Sequence, residues 1–154
     1  MKPCTLDCKP GVIWEAITEI EDAQDVIAKL YTSNGAKATI TSCHDGKHSL
    51  NSGHHQNDHK ALSSAIDLRI MNLFRRVPIH NGAEWFNLVL GFAKNLAEAL
   101  NDWLSETNRH GRFDVVLESD HLHVEYSDVY HPNIIGWTEV KMVYVSKDAQ
   151  KYLS

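Results

Sequence analysis

The 154-residue chain has no long hydrophobic run, little positive charge and few cysteines. Nowhere do about 18 apolar residues follow one another, as a membrane-spanning helix requires, so no membrane insertion is expected. The stretch MKPCTLDCKPGVIWEAI holds two lysines but no apolar block ending in a small-residue cleavage site. That predicts a protein made soluble, without a signal peptide of its own. Lys and Arg number 15 against 20 Asp and Glu, for a formal net charge of −5. Phosphate neutralisation supplies most nucleic-acid affinity and the Arg75-Arg76 pair is too small a patch, so no nucleic-acid partner is expected. The 3 cysteines, Cys4, Cys8 and Cys43, are an odd set. In a chain without an export signal they predict reduced thiols rather than a disulfide framework. Cys4 and Cys8 are half a metal site, needing ligands from elsewhere.

Histidine, in contrast, is plentiful, and 7 of the 10 fall in two stretches. Residues 39–69 hold His44, His48, His54, His55 and His59 and run on to Asp67, while residues 114–126 hold His121 and His123 beside Asp120. At 43% hydrophobic and 23% charged, the chain fits one domain, residues 1–154, with an ordinary core. Residues 11–31 place Ile13, Ile17, Ile20, Val26, Ile27 and Leu30 near helical spacing, with Pro10-Gly11 before them and Ser33-Asn34-Gly35 after. Alternation predicts a strand over 36–42. Residues 44–59, rich in Ser, Asn, Asp and Gly, read as a long loop whose histidines favour a functional role.

In the next strand, 65–70, Ile66, Leu68 and Ile70 point into the core and Ala65, Asp67 and Arg69 point the other way. Residues 83–107 form the longest helix, with Trp85, Leu88, Phe92, Leu96, Leu100 and Leu104 as its apolar stripe. Segments 113–118 and 121–126 make a hairpin in which His121, His123 and Glu125 share a face while Leu122 and Val124 fill the core. A strand over 137–145 and a short helix finish the chain. The expected architecture is α+β: a small antiparallel sheet bearing a zinc site, packed against two main helices, Ile13 to Leu30 and Trp85 to Leu104. Two imidazoles and a carboxylate on a rigid frame are what a catalytic zinc uses, with its fourth position left for water. His80, His110 and His131 read as structural or exposed.

Taken in order, Thr41-Ser42, Asp45-Gly46-Lys47-His48-Ser49, Ser52-Gly53-His54, Ala65-Ile66-Asp67-Leu68-Arg69 and Asp120-His121-Leu122-His123-Val124-Glu125 resemble a known family. It is that of the zinc peptidoglycan peptidases of the D-alanyl-D-alanine carboxypeptidase and L-alanyl-D-glutamate endopeptidase type. These share the Hedgehog-type fold and include many small phage and prophage members. The resemblance spans residues 10 to 126 and implies one Zn2+ per chain, held by His54, Asp67 and His123. It makes Asp120 the acid that takes a proton from water and returns one to the leaving amine, with His121 orienting substrate or water. Ser52, His48 and Arg69 would contact substrate.

His54 and Asp67 are 67 − 54 = 13 positions apart, a longer interval than the family's, and His59 is the rival first ligand. An arginine often present after the Thr-Ser strand end is replaced by the region of His44 and Asp45, leaving oxyanion stabilisation to zinc with His48 or Lys47. The implied function is hydrolysis of an amide bond in peptidoglycan stem peptides. A monomer would act on the cell wall after release from the host cytoplasm, or from within a virion. Two rivals stand beside it: a non-catalytic, zinc-stabilised binding module of the same fold, and a histidine-rich metal buffer with several weak sites.

Overall fold

The computed structural model describes residues 2–44, 62–78, 82–127, 138–140 and 143–153. Its strands are β1 (Asp7–Cys8), β2 (Thr39–Ser42), β3 (Ala65–Arg69), β4 (Arg112–Leu117), β5 (His121–Ser127), β6 (Thr138–Val140) and β7 (Val143–Val145). They form one seven-stranded sheet in the order β1-β2-β3-β5-β4-β7-β6. The helices are α1 (Thr18–Ser33), α2 (Ala83–Glu106) and the short α3 (Lys147–Gln150). The class is therefore α+β, as the sequence predicts, and no described helix is long and apolar enough to cross a membrane.

The sheet is mixed, which corrects the expected antiparallel arrangement: β1 runs parallel to β2, and β7 parallel to β4. Hydrogen bonding explains the second pairing. Both edges of β5 are taken by β3 and β4, so the carboxy-terminal segment adds to the remaining edge of β4. There Val143 and Val145 lie opposite Val115 and Leu117 and extend the buried apolar layer. The single strand expected over 137–145 is two, with Val140 opposite Val143 in an antiparallel pair.

The amino-terminal helix also begins later than its apolar spacing suggests. Residues 13–17 are bound to other backbone: His44 N–H donates to the Ile13 carbonyl, Ser63 N–H to Glu15, and Ile17 N–H to Ser63. Groups committed to these bonds cannot make helical ones. Ile13 is consequently 48% exposed, and the buried stripe is Ile20, Ala23, Ile27 and Tyr31. In α2 the expected stripe holds except at Leu88, which is exposed; Val89 takes the inward place.

Helix α2 packs on β4 and β7, and α1 packs against α2. Polar groups fix the registration. Asn101 donates from Nδ2 to the Phe113 carbonyl and accepts the Phe113 N–H at Oδ1, clamping α2 to β4. The Tyr31 hydroxyl donates to the Arg69 carbonyl at 2.7 Å, and the Trp85 indole N–H to Leu73 at 2.7 Å. These bonds tie the end of β3 to both helices.

At the entry to β4, Gly111 has φ +89°, where a Cβ would overlap the Ser127 carbonyl oxygen and come within 2.5 Å of the Tyr126 hydroxyl. Gly111→Ala is expected to destabilise the fold by at least about 1–3 kcal/mol. The measurement is the urea midpoint, which should fall with the m-value unchanged. An unaltered midpoint would mean that the turn has an equally good alternative conformation.

Candidate metal centre

β3 and β5 lie antiparallel, with Asp67 opposite His123 and Arg69 opposite His121. Alternation then divides the side chains. Ile66, Leu68, Leu122 and Val124 enter the helix-covered core. Asp67, Arg69, His121, His123 and Glu125 share the other face, and of these Asp67, His123 and Glu125 are buried.

On that face His123 Nδ1 is 3.1 Å from Asp67 Oδ1, and its Nε2 is 3.0 Å from Glu125 Oε2. His121 Nε2 is 2.7 Å from Glu118 Oε2 and 3.5 Å from Asp67 Oδ1, and its Nδ1 is 2.6 Å from Asp120 Oδ1. Asp67 thus stands between two imidazoles, and each imidazole has a further carboxylate behind it. Burial pulls the His123 pKa down, but the hydrogen bonds and charges of Asp67 and Glu125 outweigh it and raise the value to about 10. For His121 the same opposition, won by Glu118, Asp67 and Asp120, gives about 9. Without a metal both rings are cations held by acids.

Asp67, Glu118 and His123 each offer a ligand atom, and these atoms lie within 4.8 Å of one another. This group could hold a metal ion. Donors 2.0–2.2 Å from a tetrahedral zinc are roughly 3.3–3.6 Å apart, close to the observed Asp67–His123 spacing. One imidazole and two carboxylates suit zinc, and also harder divalent ions such as manganese. With Glu125 on Nε2, His123 turns Nδ1 toward the group, the arrangement in which a carboxylate fixes the tautomer of a metal-binding histidine.

Behind Glu125 the polar face continues. Asp114 lies opposite it on β4, bound by Arg112 Nε at 2.6 Å, and Arg112 also approaches the Tyr144 hydroxyl at 3.4 Å. Two buried acids side by side are tolerable because each has a cationic partner, His123 for Glu125 and Arg112 for Asp114.

The structure therefore brings together Asp67, His121 and His123. Asp120 touches His121, but its side chain is 80% exposed at the hairpin turn. Arg69 is on the same face, opposite His121. His48, Ser52, His54, His55 and His59 lie outside the described residues. Glu118 was not among the residues expected from the sequence, although strand parity pointed to it: residues 112, 114 and 116 face the site, and 118 is next in that series. Its N–H donates to the His121 carbonyl at 2.9 Å, which continues the ladder to the turn.

No family model, curated protein or solved structure matches this chain. Its functional reading rests on its own residues and on the order of their motifs.

Proposed function

We propose that the protein is a zinc metallopeptidase that hydrolyses an amide bond in peptidoglycan stem peptides, in a phage or prophage setting. The observation that carries this reading is the pairing of Asp67 with His123 across adjacent strands. These are the two described residues that the resemblance makes zinc ligands. They reach one point from distant parts of the chain, 56 residues apart.

Asp67 and His123 would hold zinc, with Glu118 or a histidine of the 44–59 stretch as the next donor. Zinc bound there would supply Lewis acidity toward a substrate carbonyl and make a water easier to deprotonate. The chain's own groups handle the proton. Glu118, His121 and Asp120 form a continuous hydrogen-bonded series from the buried carboxylates to the exposed turn. Asp120 would accept the water's proton and deliver it to the leaving amine, while His121, held on both ring nitrogens, keeps Asp120 oriented. Arg69 would receive an acidic group of the stem peptide.

The test is mass spectrometry of purified peptidoglycan fragments after incubation with zinc-loaded protein, run beside zinc-loaded Asp120→Asn. New fragments with free amino termini are expected from the unmutated protein. The variant should keep its zinc and be about 10²- to 10⁴-fold slower. Unchanged fragments with one zinc bound would reject hydrolysis and favour the non-catalytic module. Several weakly held ions per chain would favour the metal buffer.

A further inference from the structure

We propose that Cys4 and Cys8 form an intrachain disulfide when the protein meets a low-molecular-weight disulfide oxidant, stapling the amino-terminal arm. Their Sγ atoms are 2.8 Å apart, against about 2.0 Å for the bond itself. The approach is a product of the fold and not of the Cys-x3-Cys spacing. Four residues of extended chain would separate the two positions by roughly 13 Å.

Here the backbone bends back at Leu6, whose carbonyl accepts from Cys4 Sγ at 3.3 Å. Each end of the bend is anchored. Thr5 N–H donates to Gln24 Oε1 at 2.6 Å and Gln24 Nε2 donates to the Pro3 carbonyl at 3.3 Å, holding the Cys4 end on α1. Cys8 belongs to β1, opposite Ile40. Closing the bond therefore requires little movement of either anchor.

Cys43 is set apart: it is fully buried, with Sγ 3.9 Å from the Glu15 carbonyl. The odd count thus resolves into one facing pair and one core thiol. Cys8 is exposed and Cys4 only partly so, which makes Cys8 the first to react. As thiolate it attacks a sulfur of oxidised glutathione, expelling one glutathione thiolate and forming a mixed disulfide. Cys4 thiolate then attacks the Cys8 sulfur and expels the second. Two protein thiols lose two protons and two electrons, and one oxidised glutathione becomes two reduced ones.

The staple would stiffen β1 on the outer edge of β2, the strand whose Ser42 lies opposite Asp67. This inference is independent of the peptidase reading. To test it, the full chain is equilibrated with oxidised glutathione, unfolded, alkylated and weighed intact. The expected product carries one alkyl group, on Cys43, is two hydrogens lighter, and maps the loss to the fragment with Cys4 and Cys8. After prior reduction it carries three alkyl groups. The thermal midpoint should be several degrees higher in the oxidised protein, and Cys8→Ser should abolish that difference. Three alkyl groups after oxidation, or glutathione persisting on Cys4 or Cys8, would overturn the proposal, whatever the behaviour of the variant.

Discussion

On the proposed peptidase reading, Asp67→Asn is expected to weaken zinc binding by more than about 100-fold and to slow hydrolysis in proportion. Loss of a carboxylate that merely orients a ligand already costs about 10- to 100-fold in metal affinity. Asp67 does more than orient: its Oδ1 faces both His123 and His121, and it is one of three ligand-bearing groups within 4.8 Å. Asparagine keeps the shape but removes the charge, so the volume of the buried face is unchanged and the fold should survive. The measurement is a zinc titration against a competing chelator, with the thermal midpoint followed in parallel and His110→Ala, an exposed position, as control. If Asp67→Asn bound one zinc as tightly as the unmutated protein, the metal would belong to the histidine tract and not to this face.

The reason this site was legible in the sequence is geometric. A strand has a period of two, so Asp67 and the His121–His123 pair declare their faces without knowledge of the fold. Their apolar alternates, Ile66, Leu68, Leu122 and Val124, confirm the sides by entering the core. The α2 helix was legible for a related reason: over 24 residues its apolar period is sustained, and only Leu88 departs from it.

What escaped the sequence is what depends on distant partners. Residues 13–17 carry an apolar pattern compatible with helix, but their backbone is claimed by His44 and Ser63. The parallel pairings of β1 with β2 and of β7 with β4 follow from which sheet edges remain open, a property of the assembled sheet. The meeting of Cys4 and Cys8 depends on α1 holding the arm through Gln24. Glu118 differs from these. Its parity was available, since the strand expected over 113–118 included it, but no motif marked it off from an ordinary acid at a strand end, and β4 itself closes at Leu117.

On the same proposed reading, metal affinity is expected to fall about tenfold for each pH unit below about 10, so that zinc would bind roughly 100-fold more weakly at pH 6 than at pH 8. The cause is His123, whose pKa is raised to about 10 by Asp67 and Glu125 against the opposing effect of burial. To offer Nδ1 as a ligand it must first release a proton, and that proton competes with the metal throughout the range below its pKa. The metal-free protein should show the opposite trend in stability. A histidine whose folded pKa exceeds its unfolded value of about 6.5 stabilises the fold fully below that value. The contribution is then lost as the pH rises through about 9 for His121 and about 10 for His123. Chelator competition at several pH values, beside thermal melts of metal-free protein, reads both trends. An affinity independent of pH between 6 and 8 would mean that His123 is already neutral before metal arrives.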